Sequence, residues 1–242
     1  IVRILFFPIV LIAKCFRLIS EKLISLSYKV DFFYEWSLAE KEVPNFFKHL
    51  INLYTWRDKP SNHMFTTAPS IARSFLKRGG RVLDICCGDG STSYLFFSDV
   101  AAEVDAIDLN PVALKYARKT FAKENISFMK SDANEFLKTT KKQYNLVYFG
   151  SAFDYFSKLE RHDLFKNIML HLASDAFLVL KTPVWSEGSY SKSRKSQVDA
   201  KEDFISSKHQ LIDELEQFFN QILCFEVEYE NRVEIIAVCR EP

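Results

Sequence analysis

Three aspartates, Asp84, Asp108 and Asp132, each lie in or at the end of a short apolar run, and two glycines, Gly88 and Gly90, follow the first of them. A carboxylate at the end of a buried strand can accept two hydrogen bonds at once from a ligand. Glycine lets the backbone approach that ligand closely. The stretch RVLDICCGDGSTSYLF, residues 81–96, packs most of these residue types together. Val82 to Ile85 reads as a strand, Gly88-Asp89-Gly90 as a tight turn, and Ser91 and Thr92 as caps of a helix through Phe96. A strand, a glycine turn and a helix in that order can receive a nucleotide-like ligand.

The rest of the chain must position these groups, and its pattern alternates. Val82–Cys86, Glu103–Leu109, Ile126–Asp132, Tyr144–Gly150 and Ala176–Pro183 read as five strands. Between them, helices are expected from about Ser91, from Pro111 to Glu124, near Glu135 to Thr140, and from about Leu159 to Leu172. Proline suits the first position of a helix, as at Pro111. Residues 185–203 are polar and read as a loop, followed by a helix from Ser207 to Gln221. CFEVEYE and EIIAVCR close the chain as a hairpin turning near Asn231 and Arg232. Strands joined by helical crossovers, then a hairpin, predict an α/β fold. The expected architecture is a doubly wound, mostly parallel, seven-stranded sheet with an antiparallel C-terminal hairpin. An N-terminal helical extension over 1–78 precedes this domain, which spans 79–242.

In an open sheet of this kind ligands sit outside the carboxyl ends of the strands, where all three acids fall. Asp108 lies 24 positions after Asp84 and is placed to accept from two ribose hydroxyls. Asp132 could accept from an adenine amino group. Taken singly, each acid is better explained as a turn former or helix cap. Taken in register, the set favours a ligand site. Ser93 stands where a dinucleotide fingerprint has its third glycine, and the turn lacks the lysine of a phosphate-binding loop.

These residues resemble the first motifs of the class I S-adenosylmethionine-dependent methyltransferases. DICCGDG fits their first motif with Cys86 at its first glycine position, Asp108 in AIDLNP matches their acid after the second strand, and Asp132 in KSDA their acid after the third. The resemblance covers Arg81 to the C-terminus. It implies a Rossmann-like fold, S-adenosylmethionine as cofactor, and a cofactor set of Asp84, Cys86, Gly88, Gly90, Asp108, Leu109, Asp132, Ala133 and Gly150. It also implies in-line methyl transfer, in which the protein positions two partners and removes a proton where needed. A cationic sulfonium needs no phosphate cradle.

The acceptor should meet the cofactor near the end of the fourth strand. Many relatives with small-molecule substrates have Glu-His there, whereas this chain has Asp154-Tyr155. A tyrosine is no histidine-like base near neutral pH. Asp154 and Tyr155 are therefore candidates for catalysis or for the pocket wall alone. His63, in TWRDKPSNHMFTTAPS, is a third candidate, as base or as an ordinary loop histidine. Lys192, Arg194 and Lys195 belong to a loop that touches an acidic substrate or is simply solvated.

Bulk properties narrow the class. The chain has 242 residues, a net charge of +1, 48% hydrophobic residues and 23 phenylalanines, enough for a sizeable core. Near-neutral charge argues against a dedicated nucleic-acid binder. The signature of amino-group methylation on nucleic-acid bases is also missing after the fourth strand, so no DNA partner is expected. The five cysteines, Cys15, Cys86, Cys87, Cys224 and Cys239, form no Cys-x-x-Cys pair. That predicts neither zinc nor a disulfide framework, no metal site, and a cytoplasmic protein. Cys86 and Cys87 are expected to pack rather than react.

The N-terminal run, IVRILFFPIVLIAKCFRLISEKLISLSYK, places Lys14, Arg17, Glu21, Ser25 and Lys29 near one stripe of a helix after Pro8. Its apolar remainder needs a cover. That cover is the domain itself or a second subunit, forming a homodimer, or else a membrane interface as a peripheral helix. The uncharged run of ten residues, Ile4 to Ala13, is too short for the roughly 20 of a spanning helix. The predicted activity is methyl transfer to oxygen or nitrogen of a small-molecule, sugar, glycan or lipid-linked acceptor. The alternatives are a protein or RNA methyltransferase, or a degenerate scaffold that keeps the cofactor.

Overall fold

The computed structural model describes residues 8, 11–20, 22–23, 26, 63–150, 152–184, 204–229 and 232–240. The chain divides into two compact units, Ile1–His63 and Met64–Pro242. In the first, residues 11–20 are helical and their side chains are exposed.

The second unit opens with helix α1 (His63–Phe75), all but the first residue of which belongs to it, and strand β1 (Arg81–Ile85). Then follow β2 (Glu103–Asp108), α2 (Pro111–Thr120), β3 (Ile126–Lys130), α3 (Ala133–Thr139) and β4 (Tyr144–Gly150). Helix α4 (Lys158–His171), β5 (Leu172–Pro183), α5 (Lys208–Leu215), β6 (Gln221–Tyr229) and β7 (Arg232–Arg240) complete it. The seven strands form one sheet in the order β3-β2-β1-β4-β5-β7-β6. The first five are parallel, and β7 runs against both β5 and β6. This is the expected α/β architecture with its terminal hairpin. The order reverses between β1 and β4, which opens a crevice at the carboxyl ends of those strands.

The central strands are apolar on both faces because helices cover both. On one face Leu83, Ile85, Val147, Phe149, Leu178 and Leu180 pack with Leu164, Phe165 and Ile168 of α4. Alternation puts Val82, Asp84, Tyr148 and Lys181 on the other face. Ala68 and Ala72 of α1 are fully buried in this unit, and Phe75 stacks on Phe177 at 4.5 Å between ring centres.

Helix starts follow local chemistry. The side chain of Asn110 accepts from the backbone N–H of Val112 and Ala113, with Pro111 at the first position of α2. Ser157 and Glu160 cap the start of α4 reciprocally. Three expectations are corrected. The segment after the glycine turn is not a regular α-helix, because residues 93–97 form a π turn in which Ser98 N–H donates to Ser93 O at 3.0 Å. Helix α2 ends at Thr120 rather than Glu124. Strand β5 begins at Leu172 rather than Ala176, since Leu172 pairs with Tyr144 before a register shift brings Phe177 opposite Leu146. The loop expected at 185–203, with Lys192, Arg194 and Lys195, lies outside the described residues.

Candidate cofactor site at the carboxyl ends of the strands

The glycine turn forms because its backbone enters a region that side chains resist. Gly88 and Gly90 have φ of 56° and 78°, and Cys86 itself adopts φ 56°. At Gly90 the conformation is reinforced by crowding, since a Cβ there would lie 2.4 Å from the ring of Phe128. The turn is thus pressed against β3, and only glycine fits. Cys86 occupies the first glycine position of the motif and takes up the left-handed conformation despite its side chain.

Asp108 ties the turn to the end of β2. Its Oδ2 accepts from the backbone N–H of Gly88 and its Oδ1 from that of Asn110, both at 2.8 Å. Each oxygen keeps a second lone pair, so the carboxylate is fixed in orientation without being used up. The neighbouring Leu109 is an apolar side chain left 61% exposed. Asp132 caps α3, its Oδ1 accepting from the N–H of Asn134 and Glu135, and Ala133 beside it is buried. Asp84 is buried behind the turn, where its Oδ2 accepts from the Ser93 hydroxyl at 2.5 Å. The π turn is what brings Ser93 under Asp84 while Phe97 enters the core.

The electrostatics of this end of the sheet are one-sided. Burial raises the Asp84 carboxyl to about 7, against the opposing bond from Ser93 and with the charges of Asp108 and Asp89 adding to the rise. Asp89 is raised to about 6, again chiefly by burial. Burial and the charges of Asp108, Asp84 and Asp132 push the Cys86 thiol far up, and burial with Asp84, Asp108 and Asp89 does the same for Cys87. Neither cysteine is a thiolate near neutral pH, so both pack as expected. Asp84, Asp89, Asp108 and Asp132 thus bear on one small volume around the turn. Asp89 was missed by sequence reasoning, although an acid between two glycines of such a turn was a visible signal.

The other candidates occupy different places. Gly150 ends β4, and a Cβ there would lie 2.5 Å from the hydroxyl of Tyr148, so glycine makes room for that ring. Asp154 and Tyr155 lie in a short 3-10 turn (Phe153–Tyr155) after β4, Asp154 buried and Tyr155 56% exposed. This turn is anchored by Arg161 of α4, which donates to Phe156 O at 2.7 Å and forms a buried bidentate pair with Glu214 of α5 at 2.8 and 2.9 Å. Backbone at His63 opens α1, and its side chain is outside the described residues. No group of three or more His, Cys, Asp or Glu side chains among the described residues could hold a metal ion.

The comparisons agree with this fold. Residues 82–175 match a family model described as a methyltransferase domain. The N-methyltransferase NodS from Bradyrhizobium japonicum WM9, solved with S-adenosyl-L-homocysteine, is similar at 16% identity and a TM-score of 0.59, over 76% of this chain and 89% of that one. The DhpI–SAH complex is similar at 16% identity and a TM-score of 0.55, over 80% and 93%. A precorrin-6y C5,15-methyltransferase from Geobacter metallireducens GS-15 is similar at 19% identity and a TM-score of 0.52, over 71% and 87%. No curated protein matches the chain. With its strand order and its acid-lined glycine turn, the chain has the Rossmann-like fold of these solved methyltransferases, and within it residues 82–175 match the model of a methyltransferase domain.

Proposed function

We propose that this methyltransferase transfers a methyl group to an oxygen or nitrogen of a small-molecule, sugar or lipid-linked acceptor. The observation that carries the cofactor half of this reading is the convergence of Asp84, Asp89 and Asp108 on a turn with no lysine. Such a site suits a ligand of net positive charge and repels phosphates. Bound there, the sulfonium supplies a methyl group whose bond to sulfur breaks as the acceptor's lone pair forms the new one. In this reading Asp108 accepts from the ribose hydroxyls through its two remaining lone pairs. Leu109 packs on the base, Asp132 and Ala133 lie at its edge, and Cys86, Gly88 and Gly90 offer backbone to the methionyl portion. Asp84 and Gly150 complete the cofactor set, Asp154 and Tyr155 bound the acceptor, and His63 is a candidate for taking its proton.

The test is calorimetry with S-adenosylmethionine on Asp108→Ala. Loss of a charge-assisted bond costs about 1.5–3 kcal/mol, so affinity should fall about tenfold or more. Unchanged affinity in a folded variant would remove the ribose assignment. Turnover, followed with labelled cofactor, should survive a chelator. Loss with EDTA and recovery with magnesium would refute the metal-free reading. Failure of any acceptor in a cell extract to take label, with the cofactor still bound, would favour the scaffold. Label found in protein or RNA would favour those acceptors.

For the N-terminal segment we take cover by protein, within the chain or in a homodimer, as the first reading. A membrane surface is the second, supported by the exposed Leu11, Ile12, Phe16, Leu18 and Ile19 beside Lys14 and Arg17. No helix among the described residues is long and apolar enough to cross a membrane. Flotation on anionic liposomes, with and without residues 1–30, separates the two.

A further inference from the structure

We infer that Asp89 is a specificity-determining residue that selects the cationic sulfonium cofactor over the neutral thioether left after methyl transfer. The inference rests on the glycine turn being the cofactor cradle. Asp89 stands between the two positive-φ glycines and is 2% exposed. Its Oδ1 accepts from the N–H of Ser91 at 3.1 Å and from the Ser91 hydroxyl at 2.8 Å, which closes the turn. Its Oδ2 is buried and has no hydrogen-bond partner among the described residues. One oxygen therefore does the local structural job, and the other sits desolvated at a cost in free energy.

Among the described residues, the charged groups that bear on Asp89 are themselves acids. Asp84 faces it from β1, where Ser93 of the π turn bonds that acid, and Asp108 faces it from the end of β2. The thiol of Cys87 lies in the turn itself. Burial, with the charge of Asp108 adding to it, holds the Asp89 carboxyl up at about 6 against the bonds from Ser91. A positively charged ligand relieves both the desolvation and the mutual repulsion of these acids, and a neutral one relieves neither. The cofactor and its demethylated product share one skeleton and differ by the methyl group and one positive charge. A buried carboxylate cluster reads that charge with little screening by salt.

Calorimetry on the full chain with S-adenosylmethionine and with S-adenosylhomocysteine, for wild type and Asp89→Asn, tests this. Asparagine keeps an oxygen for the Ser91 bonds and removes the charge. Affinity for the sulfonium compound should fall about tenfold or more, while that for the thioether changes by less than about threefold. Equal weakening of both, or no weakening of either, overturns the inference. Binding of neither ligand by wild type would instead refute the cofactor reading on which it rests. Melting of the ligand-free variant at neutral pH checks its fold. Should the variant unfold, wild type alone decides. Its preference for the sulfonium compound should shrink as pH falls through about 7 to about 6, where Asp84 and Asp89 gain protons. A pH-independent ratio overturns the inference.

Discussion

The two ends of β2 treat their acids in opposite ways. At the amino end the buried Asp105 receives the Lys142 ammonium at 2.8 and 3.0 Å and the Tyr144 hydroxyl at 2.8 Å. At the carboxyl end, among the described residues, Asp108 receives only backbone N–H groups, and its buried neighbours Asp84 and Asp89 receive hydroxyls and one more N–H. The same contrast runs across the sheet, where Lys181 of β5 pairs with Glu234 of β7 at 3.0 Å and Arg161 with Glu214, all four buried. A buried charge matched within the chain holds elements together. Buried acids with no cation beside them among the described residues are where the proposed cofactor would supply the neutralising charge. That difference separates architecture from site more sharply than burial does, since both kinds are equally hidden.

The largest expected effect tests the matched side. Lys181→Met removes the cation from a fully buried Glu234, and denaturant unfolding should show a loss of about 3–5 kcal/mol. Adding Glu234→Leu should restore most of it. A loss below about 1 kcal/mol would mean that this pair does not secure the β5–β7 edge.

The next effect tests the acid side, with the opposite sign. Asp84 has a folded-state value raised to about 7 from 3.8, so the folded protein holds a proton that the unfolded chain releases in that interval. Stability is therefore lost as pH rises from about 4 to about 7 and stays low above. Asp84→Asn should raise the melting point of the ligand-free protein at pH 8, by about 1–2 kcal/mol of stability, and leave it nearly unchanged at pH 4. A variant that is less stable at pH 8 would show that Asp84 already finds its compensation within the fold.

The smallest effect concerns the backbone under the acids. Cys86 carries a side chain at φ 56°, where a left-handed conformation costs roughly 1 kcal/mol. Cys86→Gly should stabilise the ligand-free protein by about 0.5 kcal/mol, part of the relief being offset by a looser unfolded chain. A loss above about 1 kcal/mol would assign the thiol a packing role that outweighs the strain.

Much of this was legible in the sequence, and for identifiable reasons. The strands VLDI, VDAI and NLVYF are buried on both faces and so read as apolar runs bounded by turn residues. The position of Asp108 followed from where the second run stops. The π turn was not legible, because it depends on a bond from Ser93 to an acid nine residues earlier in another element. The early start of β5 was hidden because Ala173, Ser174 and Asp175 look like a loop, and Asp175 has a left-handed φ of 61°. The ion pairs were not legible as pairs, since Arg161 and Glu214 are 53 residues apart. Their signal was there one residue at a time, as Lys181 and Glu234 beside apolar strand runs, and a charge in such a place calls for a partner.

The π turn has a consequence for how this segment tolerates change. Five residues, 93–97, complete a loop of backbone that an α-helix closes with four, so the chain gains length there without gaining height. Ser93 must meet Asp84 at the start of that loop and Phe97 must reach the core at its end. Exchange of the side chains between them, Tyr94, Leu95 and Phe96, leaves both appointments intact. Removal of a single residue rotates one of the two out of place. In this stretch the count of residues is constrained more tightly than their kind, and insertions or deletions should be scarcer here than substitutions.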